Sequence, residues 1–583
     1  MIWNIGDNIV SPLGWTSEEN WLAVANGESG LQFHNDLFQL PEPFFGSFLN
    51  EQELEDRFCQ ISRDQHFTKC EKMAILSVAD AVARAGIDAA SPEVIFVIST
   101  TKGNVELLEN LAGFEENRPY LWRMAQVISQ FFGNKNAPIV VSNACISGCA
   151  AQITADRLLS AGRYHYAVVL GVDCLSKFVV SGFQSFKALS PELCRPFDAE
   201  RTGLNLGEAA ATIVYSAAPI ADAPVFVAGA LCNDANHISA PSRTAEGLVK
   251  AMKQTFEQIE DFDTQQIAFV SAHGTATRYN DDMESVAMER AGLQQLPINS
   301  LKGYFGHTLG AAGVLETIIS VRELRAQKIL PTRGCQTPGT VAQLNVVTQF
   351  AKTDKSLFVK IISGFGGSNA VMCVQLPEMG KPALQVASTA KSAASRCVAE
   401  VVLNNRSIQL DGETIWENVD NSNTWLSDIY HKIGMEYPKF FKMDRLCKAG
   451  ILAAELLMRK CGKPADEVKE DWTTVCLNSA GSLDDDRDYQ QTIQSSDNFF
   501  PSPSVFVYTL SNIVTGEIAI RHKIKGESSC YVMEQFDYDK MQSIVTELFS
   551  FTPAKNMLIG WVDYDGGRCD VRMFAFEKEK PIQ

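Results

Sequence analysis

Short apolar runs recur along the first part of the chain, each followed by a loop of small residues and then a stretch with apolar positions at helical spacing. The runs at 94–99, 139–142, 166–170, 211–215, 267–271, 357–363 and 371–376 are almost wholly apolar rather than alternating. That pattern predicts strands covered on both faces, as in sheets packed between helix layers. Helices are predicted over 16–26, closing at Gly27, and over 68–85, closing at Gly86. A first strand over 3–14 ends in Ser11-Pro-Leu-Gly14, and the Phe-rich stretch 31–66 reads as an irregular loop packed on something larger. The alternation predicts an α/β fold in two halves, about 1–218 and 219–377. Residues 378–396 break it with an Ala/Ser/Lys-rich run that reads as a linker, and 397–583 reads as a further domain.

That further domain repeats the first. The helix opening Thr68-Lys-Cys-Glu-Lys-Met73 matches Phe441-Lys-Met-Asp-Arg-Leu446, strand 96–99 matches 475–478, and 167–171 matches 556–560. Between them, 127–145 lies on 517–535 without a gap, which sets Gln535 opposite Cys145. Nothing after Gly560 corresponds to the later loops of the first unit.

With 583 residues, several cores are expected. The net charge of -18 argues against a nucleic-acid partner. No apolar run reaches the length of a membrane span, and no basic apolar leader opens the sequence. Fifteen scattered cysteines without metal-like spacing predict reduced thiols, a cytoplasmic setting and no metal.

Chemistry concentrates at predicted strand ends. Cys145 stands in Asn143-Ala-Cys-Ile-Ser-Gly-Cys149, a strand-to-helix turn with small neighbours. A helix N-terminus there is expected to favour thiolate. Three more small-residue loops carry His273, Lys302 with His307, and Gly364-Phe-Gly-Gly-Ser-Asn369. Strand C-termini are where open α/β sheets build their sites. His237 reads as structural, and Phe183 equally as pocket gate or core aromatic.

These residues resemble the β-ketoacyl-acyl-carrier-protein synthases of the thiolase-like superfamily over about 2–377. The motifs are Ala144-Cys-Ile-Ser-Gly148, Ala272-His-Gly-Thr-Ala-Thr277 with Asn280, Asp281 and Glu284, Lys302-Gly-Tyr-Phe-Gly-His307 with Glu316, and Gly364-Phe-Gly-Gly367. The resemblance implies a thiolase-like layered fold, a duplicated βαβαβαββ, with the C-terminal domain as half of such a fold. It implies decarboxylative Claisen condensation of an acyl-enzyme with malonyl-acyl carrier protein, in fatty acid or polyketide-like biosynthesis. Cys145 would be the nucleophile, and His273 and His307 oxyanion donors. Lys302 would fix the second histidine and pair with Glu316. The backbone N–H groups of Cys145 and Phe365 would form an oxyanion hole. Asp281 would support the site, and Phe183, Thr275, Thr277 and Gly366 would touch substrate. No cofactor is implied, since acyl groups travel on the phosphopantetheine of acyl carrier protein.

With Gln535 as a degenerate nucleophile, 397–583 resembles a chain-length factor cut to its N-terminal half, as in aryl polyene or flexirubin-type pathways. It is expected to dock on 1–377 as an intramolecular pseudo-dimer across a large apolar interface, its sheet continuing the first unit's. A homo-oligomer is also compatible with the family's habit of dimerising. Lys102, Arg195 and Arg201 are candidates for docking an acidic carrier protein. Two alternatives compete: a thiolase-type acyltransferase, disfavoured because Cys373 lies beyond the Gly-rich loop, and a non-catalytic carrier-binding scaffold.

Overall fold

The computed structural model describes residues 1–64, 66–377, 383–386, 393–419, 422–494 and 499–579. In the first unit the strands are β1 (Ile2–Val10), β2 (Val94–Ser99), β3 (Ile139–Val141), β4 (Tyr166–Asp173) and β5 (Ala209–Ser216). Then come β6 (Val225–Asn233), β7 (Ile267–Ser271), β8 (Ile298–Asn299), β9 (Leu357–Gly364) and β10 (Ser368–Gln375). The second unit adds β11 (Ser395–Asn404), β12 (Ser407–Leu410), β13 (Glu413–Glu417), β14 (Trp472–Asn478), β15 (Ser528–Val532), β16 (Asn556–Asp565) and β17 (Arg568–Lys578).

One five-strand order occurs three times. It is β3-β2-β4-β5-β1 in the first half and β8-β7-β9-β10-β6 in the second. In the second unit it is β15-β14-β16-β17-β11, extended by β12 and β13. The first two copies join through β1 and β6, and the first and third through β3 and β15, with Val141 opposite Tyr531 and Val140 opposite Val532. End strands β8 and β13 are not paired with each other among the described residues, so the run of strands is open.

Helices cover these strands: α1 (Lys69–Ala85), α2 (Leu121–Phe131), α3 (Ser147–Ser160), α4 (Lys177–Ser185), α5 (Arg278–Arg290) and α6 (Ala312–Arg325) in the first unit. Helices α3 and α6 are buried on nearly every face, the mark of a helix layer between two sheets. They cross at their first turns, where a Cβ on Gly313 would sit 2.4 Å from the backbone N of Cys149. In the second unit α7 (Arg445–Lys460), α8 (Ile513–His522) and α9 (Tyr538–Phe551) repeat α1, α2 and α3. Helix α9 buries one stripe, Met541, Val545, Leu548 and Phe549, and among the described residues no second half-fold covers its other side.

The expected thiolase-like layering is present, with a single half-fold appended. Three details differ from the sequence reading. Residues 51–61, expected to be loop, form a helix capped by Asn50; it buries Leu54 and Phe58, too few apolar positions to stand out in a polar stretch. The opening of α7 aligns with α1 cap to cap, Asp444 with Thr68, three residues from the match made on charge pattern. With 139 set on 529, sheet register sets Val97 on Val475 and Ala167 on Met557, one residue from the strand matches made on sequence. A one-residue slip exchanges the faces of a strand, which wholly apolar strands do not reveal in sequence. The linker expected at 378–396 falls mostly outside the described residues. β11 begins at Ser395, and Val386 bridges to Ile259.

Candidate active site

The turn after β3 is strained. Ala144 has φ +48, a left-handed conformation uncommon for a residue with a side chain. Ser147 braces it by accepting from the Asn143 N–H at 2.8 Å and donating to the Ala144 carbonyl at 2.6 Å. Asn143 also reaches into the second unit, where its Oδ1 accepts from the Cys530 N–H at 2.7 Å. The elbow that aims Cys145 is therefore stapled to the neighbouring domain.

His307 Nε2 lies 3.0 Å from Cys145 Sγ. The His273 and His307 rings meet edge to face with centroids 5.1 Å apart. One donor atom from each of Cys145, His273 and His307 falls within a 4.8 Å cluster. Each loop is pinned by a buried carboxylate. Glu284 accepts from the N–H groups of His273 and Gly274, at 2.8 and 2.7 Å. Asp173 accepts from the Gly310 N–H at 2.7 Å, and from Thr100, Thr101 and Lys102 on the strand-end loop beside it. Behind the histidines Lys302 pairs with Glu316, whose other oxygen takes Lys360 Nζ at 2.6 Å.

Two buried lysines sharing one carboxylate leave a net positive charge behind the site. Burial, reinforced by Lys302, holds both imidazoles well below the usual histidine range, so both are neutral. Burial pushes the Cys145 thiol up to about 12, against the pull of Lys302. Loss of water around the sulfur therefore opposes the resting thiolate expected from the sequence. The three clustered donor atoms are close enough to hold a metal, but the positive charge behind them opposes a divalent cation.

Above Cys145 opens a cavity of about 420 Å³. Phe183, Thr275, Thr277 and Phe365 line it, as the resemblance implies, together with Thr101, Lys102, Val179 and Leu309. Two lining residues, Phe506 and Leu510, belong to the second unit. Phe506 packs against Phe183 at 5.8 Å and over Gly182, where a Cβ would lie 2.1 Å from its ring. Asn512 donates to the Phe365 carbonyl at 2.8 Å, so the second unit also holds the Gly-rich turn.

Several candidates sit elsewhere. Gly366 faces away from the cavity and packs on Asn512 and Gly516, because at φ +85 the turn carries it over the domain boundary. Asp281 does not reach the cavity; it accepts from the Phe197 N–H at 2.8 Å and anchors a loop to α5. Lys302 and Glu316 lie behind the histidines rather than on the cavity wall. Cys373 is buried within β10 and does not line the cavity, which removes the thiolase-type second cysteine. His237 braces a turn, accepting from the N–H groups of Ser239 and Ala240. Of the proposed docking cations, Lys102 and Arg201 are buried in ion pairs with Asp486 and Asp282, while Arg195 pairs with Glu192 and Glu200.

Sequence reasoning missed Lys360, Asp173, Asn512, Phe506 and Leu510. Lys360 had a signal, a lone lysine inside the apolar run Leu357-Phe-Val-Lys-Ile-Ile-Ser363. The others depend on contacts distant in sequence.

Between the units the interface is apolar but also carries buried charge. Arg157 grips Glu527 with two hydrogen bonds of 2.8 and 2.7 Å, and Lys102 pairs with Asp486. These buried ion pairs add to the large apolar interface expected from the sequence. Gln535 occupies the turn between β15 and α9, is exposed, and lines a separate cavity of about 260 Å³ between the units.

Comparison with known proteins agrees with this geometry. The model of the beta-ketoacyl synthase N-terminal domain matches residues 2–218, and that of the C-terminal domain matches 224–336. A putative mitochondrial 3-oxoacyl-[acyl-carrier-protein] synthase of Schizosaccharomyces pombe is 28% identical over 63% of this chain and 97% of its own. The 3-oxoacyl-[acyl-carrier-protein] synthase 2 of Vibrio cholerae is 27% identical over 62% of this chain and 96% of its own. Among solved structures, a beta-ketoacyl synthase from Burkholderia phymatum superposes with a TM-score of 0.57 at 24% identity, over 65% of this chain and 99% of that one. A keto synthase-chain length factor superposes with a TM-score of 0.75 at 14% identity, covering 100% of this chain and 79% of that one.

Proposed function

The chain belongs to the β-ketoacyl synthase family, and from that premise we propose how its two units divide the work of one condensing enzyme. It is an acyltransferase of the 3-oxoacyl-[acyl-carrier-protein] synthase type that performs a Claisen condensation in fatty acid or polyketide biosynthesis. The observation that carries the division is the cavity above Cys145, lined by catalytic loops of the first unit and by Phe506 and Leu510 of the second.

In this reading an acyl thioester delivered on the phosphopantetheine of an acyl carrier protein enters beside His273 and His307. As sulfur attacks the carbonyl, the Cys145 thiol passes its proton to neutral His307 Nε2, which the 3.0 Å separation supports. The N–H groups of Cys145 and Phe365 receive the oxyanion, and the carrier thiol leaves protonated. A malonyl carrier then takes its place. Loss of carbon dioxide leaves an enolate whose oxygen is held by N–H donors of the two neutral imidazoles. The positive charge of the Lys302–Glu316–Lys360 group favours that anion; the enolate carbon attacks the acyl carbonyl on Cys145, the C–S bond breaks to release the 3-oxoacyl carrier, and the departing sulfur takes up a proton from water to regenerate the thiol. The chemistry uses no resident cofactor.

The second unit acts here as a chain-length factor. Its elbow carries Gln535, which cannot be acylated, and its side chains wall the acyl cavity. We assign the pathway as polyketide-like, with aryl polyene-type products the finer expectation. In a condensation assay, Cys145→Ala is expected to lower the rate by about 10⁴-fold or more while malonyl decarboxylation persists. Condensation at the native rate would remove Cys145 from the mechanism.

A further inference from the structure

The wall of the acyl cavity contains a charge that condensation does not require. Lys102 lines the cavity yet is only 5% exposed. It follows β2 in the loop held by Asp173, and its own N–H donates to that carboxylate at 3.1 Å. Its ammonium crosses the domain boundary to Asp486 at 2.7 Å and to the Thr509 carbonyl, with the Phe178 ring 5.2 Å away.

Tyr279 is 72% exposed and marks the mouth of the cavity. Val179, Phe183, Leu309 and Phe506 on its wall are buried, as Lys102 is. An ammonium has three N–H donors and no acceptor. Two are directed at Asp486 and Thr509, which leaves the third without an oxygen or nitrogen partner among the described residues. A plain alkyl end packed there would strip water from that donor without replacing the hydrogen bond, which is costly for a charged group. An oxygen on the far end of the chain would restore it.

We propose that Lys102, held by Asp486 of the second unit, is a specificity-determining residue that selects acyl chains bearing a hydrogen-bond-accepting oxygen, such as a hydroxyl, phenol or carbonyl, at their far end. The proposal rests on reading this cavity as the acyl chamber of Cys145, and it makes the choice of substrate a joint property of both units.

The test compares straight-chain acyl-pantetheine thioesters with matched ω-hydroxy analogues over a series of lengths, following acylation of Cys145 in the full chain by intact-protein mass. At the length that reaches Lys102, the ω-hydroxy chain should acylate about ten- to a hundredfold more efficiently, the worth of one hydrogen bond to a charged group. The double variant Lys102→Met/Asp486→Leu removes both charges, so no carboxylate is left unpaired, and should favour the alkyl chain instead. Lys102→Arg keeps the pair and the donor, and should retain the native preference. Equal acylation at every length in the native protein would overturn the proposal. So would a native preference surviving in the double variant, whose folding is checked by circular dichroism. Absence of any Cys145 adduct from either series would instead sink the acyl-chamber reading beneath it.

Discussion

The molecule contains two elbows built alike and equipped differently. Cys145 and Gln535 each follow a short strand, β3 or β15, and precede a helix, α3 or α9. Those two strands are the pair that joins the units. Around Cys145 a second half-fold supplies His273, His307, Lys302, Lys360 and the Gly-rich turn. Around Gln535 there is no such half-fold among the described residues, and the residue is exposed beside Glu534, which accepts from Gln126 at 2.8 Å. The lesson is that the half-fold alone makes an elbow and an interface, whereas chemistry needs the partner half. The second unit keeps contacts that shape its neighbour's site: Asn143 to Cys530, Phe365 to Asn512, Phe183 to Phe506.

The two histidines give the sharpest way to separate the roles around Cys145. His273→Ala is expected to lower condensation about 10²–10³-fold, the worth of an oxyanion donor, while acylation of Cys145 continues. His307→Ala should lower both steps, since in the proposed mechanism its Nε2, 3.0 Å from Sγ, takes the thiol proton. Because the thiol is pushed up to about 12, alkylation of Cys145 by iodoacetamide in His307→Ala should rise roughly tenfold per pH unit through the neutral range without a plateau. A plateau near neutrality, or normal acylation in His307→Ala, would break the assignment.

The interface is the next point of attack. Arg157→Met leaves Glu527 buried and unpaired, and should destabilise the full chain by about 3–5 kcal/mol in urea unfolding. Arg157→Met/Glu527→Leu should recover most of that loss. If the single variant costs nothing, the units are not held together there.

Much of this was legible in the chain, for definite reasons. Cys145, His273 and His307 stand in small-residue loops after apolar strands, and a sheet buried on both faces announces itself by such runs. The repeat was legible because strand and helix order survives even where identity does not. Lys302 and Glu316 were assigned to one another correctly, fourteen residues apart across one loop. The resting protonation of Cys145 was not legible, because desolvation depends on which side chains converge on it. Gly366 was assigned by motif to substrate contact, but its backbone places it at the domain boundary, while Asp281, assigned a supporting part, anchors a loop to α5. Contacts from Phe506, Leu510 and Asn512 arise from more than 140 residues away in sequence, as between Asn512 and Phe365. The pairing of β3 with β15, with the ion pairs beside it, brings them in.

The smallest expected effect is the most pointed. Gln535→Cys places a thiol in the second elbow, but with no histidine pair or Gly-rich turn there it should gain no acyl group and leave condensation unchanged within about twofold. Acylation at that position would show that the half-fold carries more of the chemistry than its structure provides.

The central claim is that one unit holds the acyl group while the other shapes the space it occupies. The most direct measurement is peptide mapping of the full chain after incubation with a photoreactive acyl-pantetheine thioester carrying a diazirine at its far end. The account predicts a thioester on Cys145 together with a photo-crosslink from the same chain to the second unit at Phe506 or Leu510. A thioester on any other cysteine, or a crosslink confined to the first unit at every chain length tested, would contradict it.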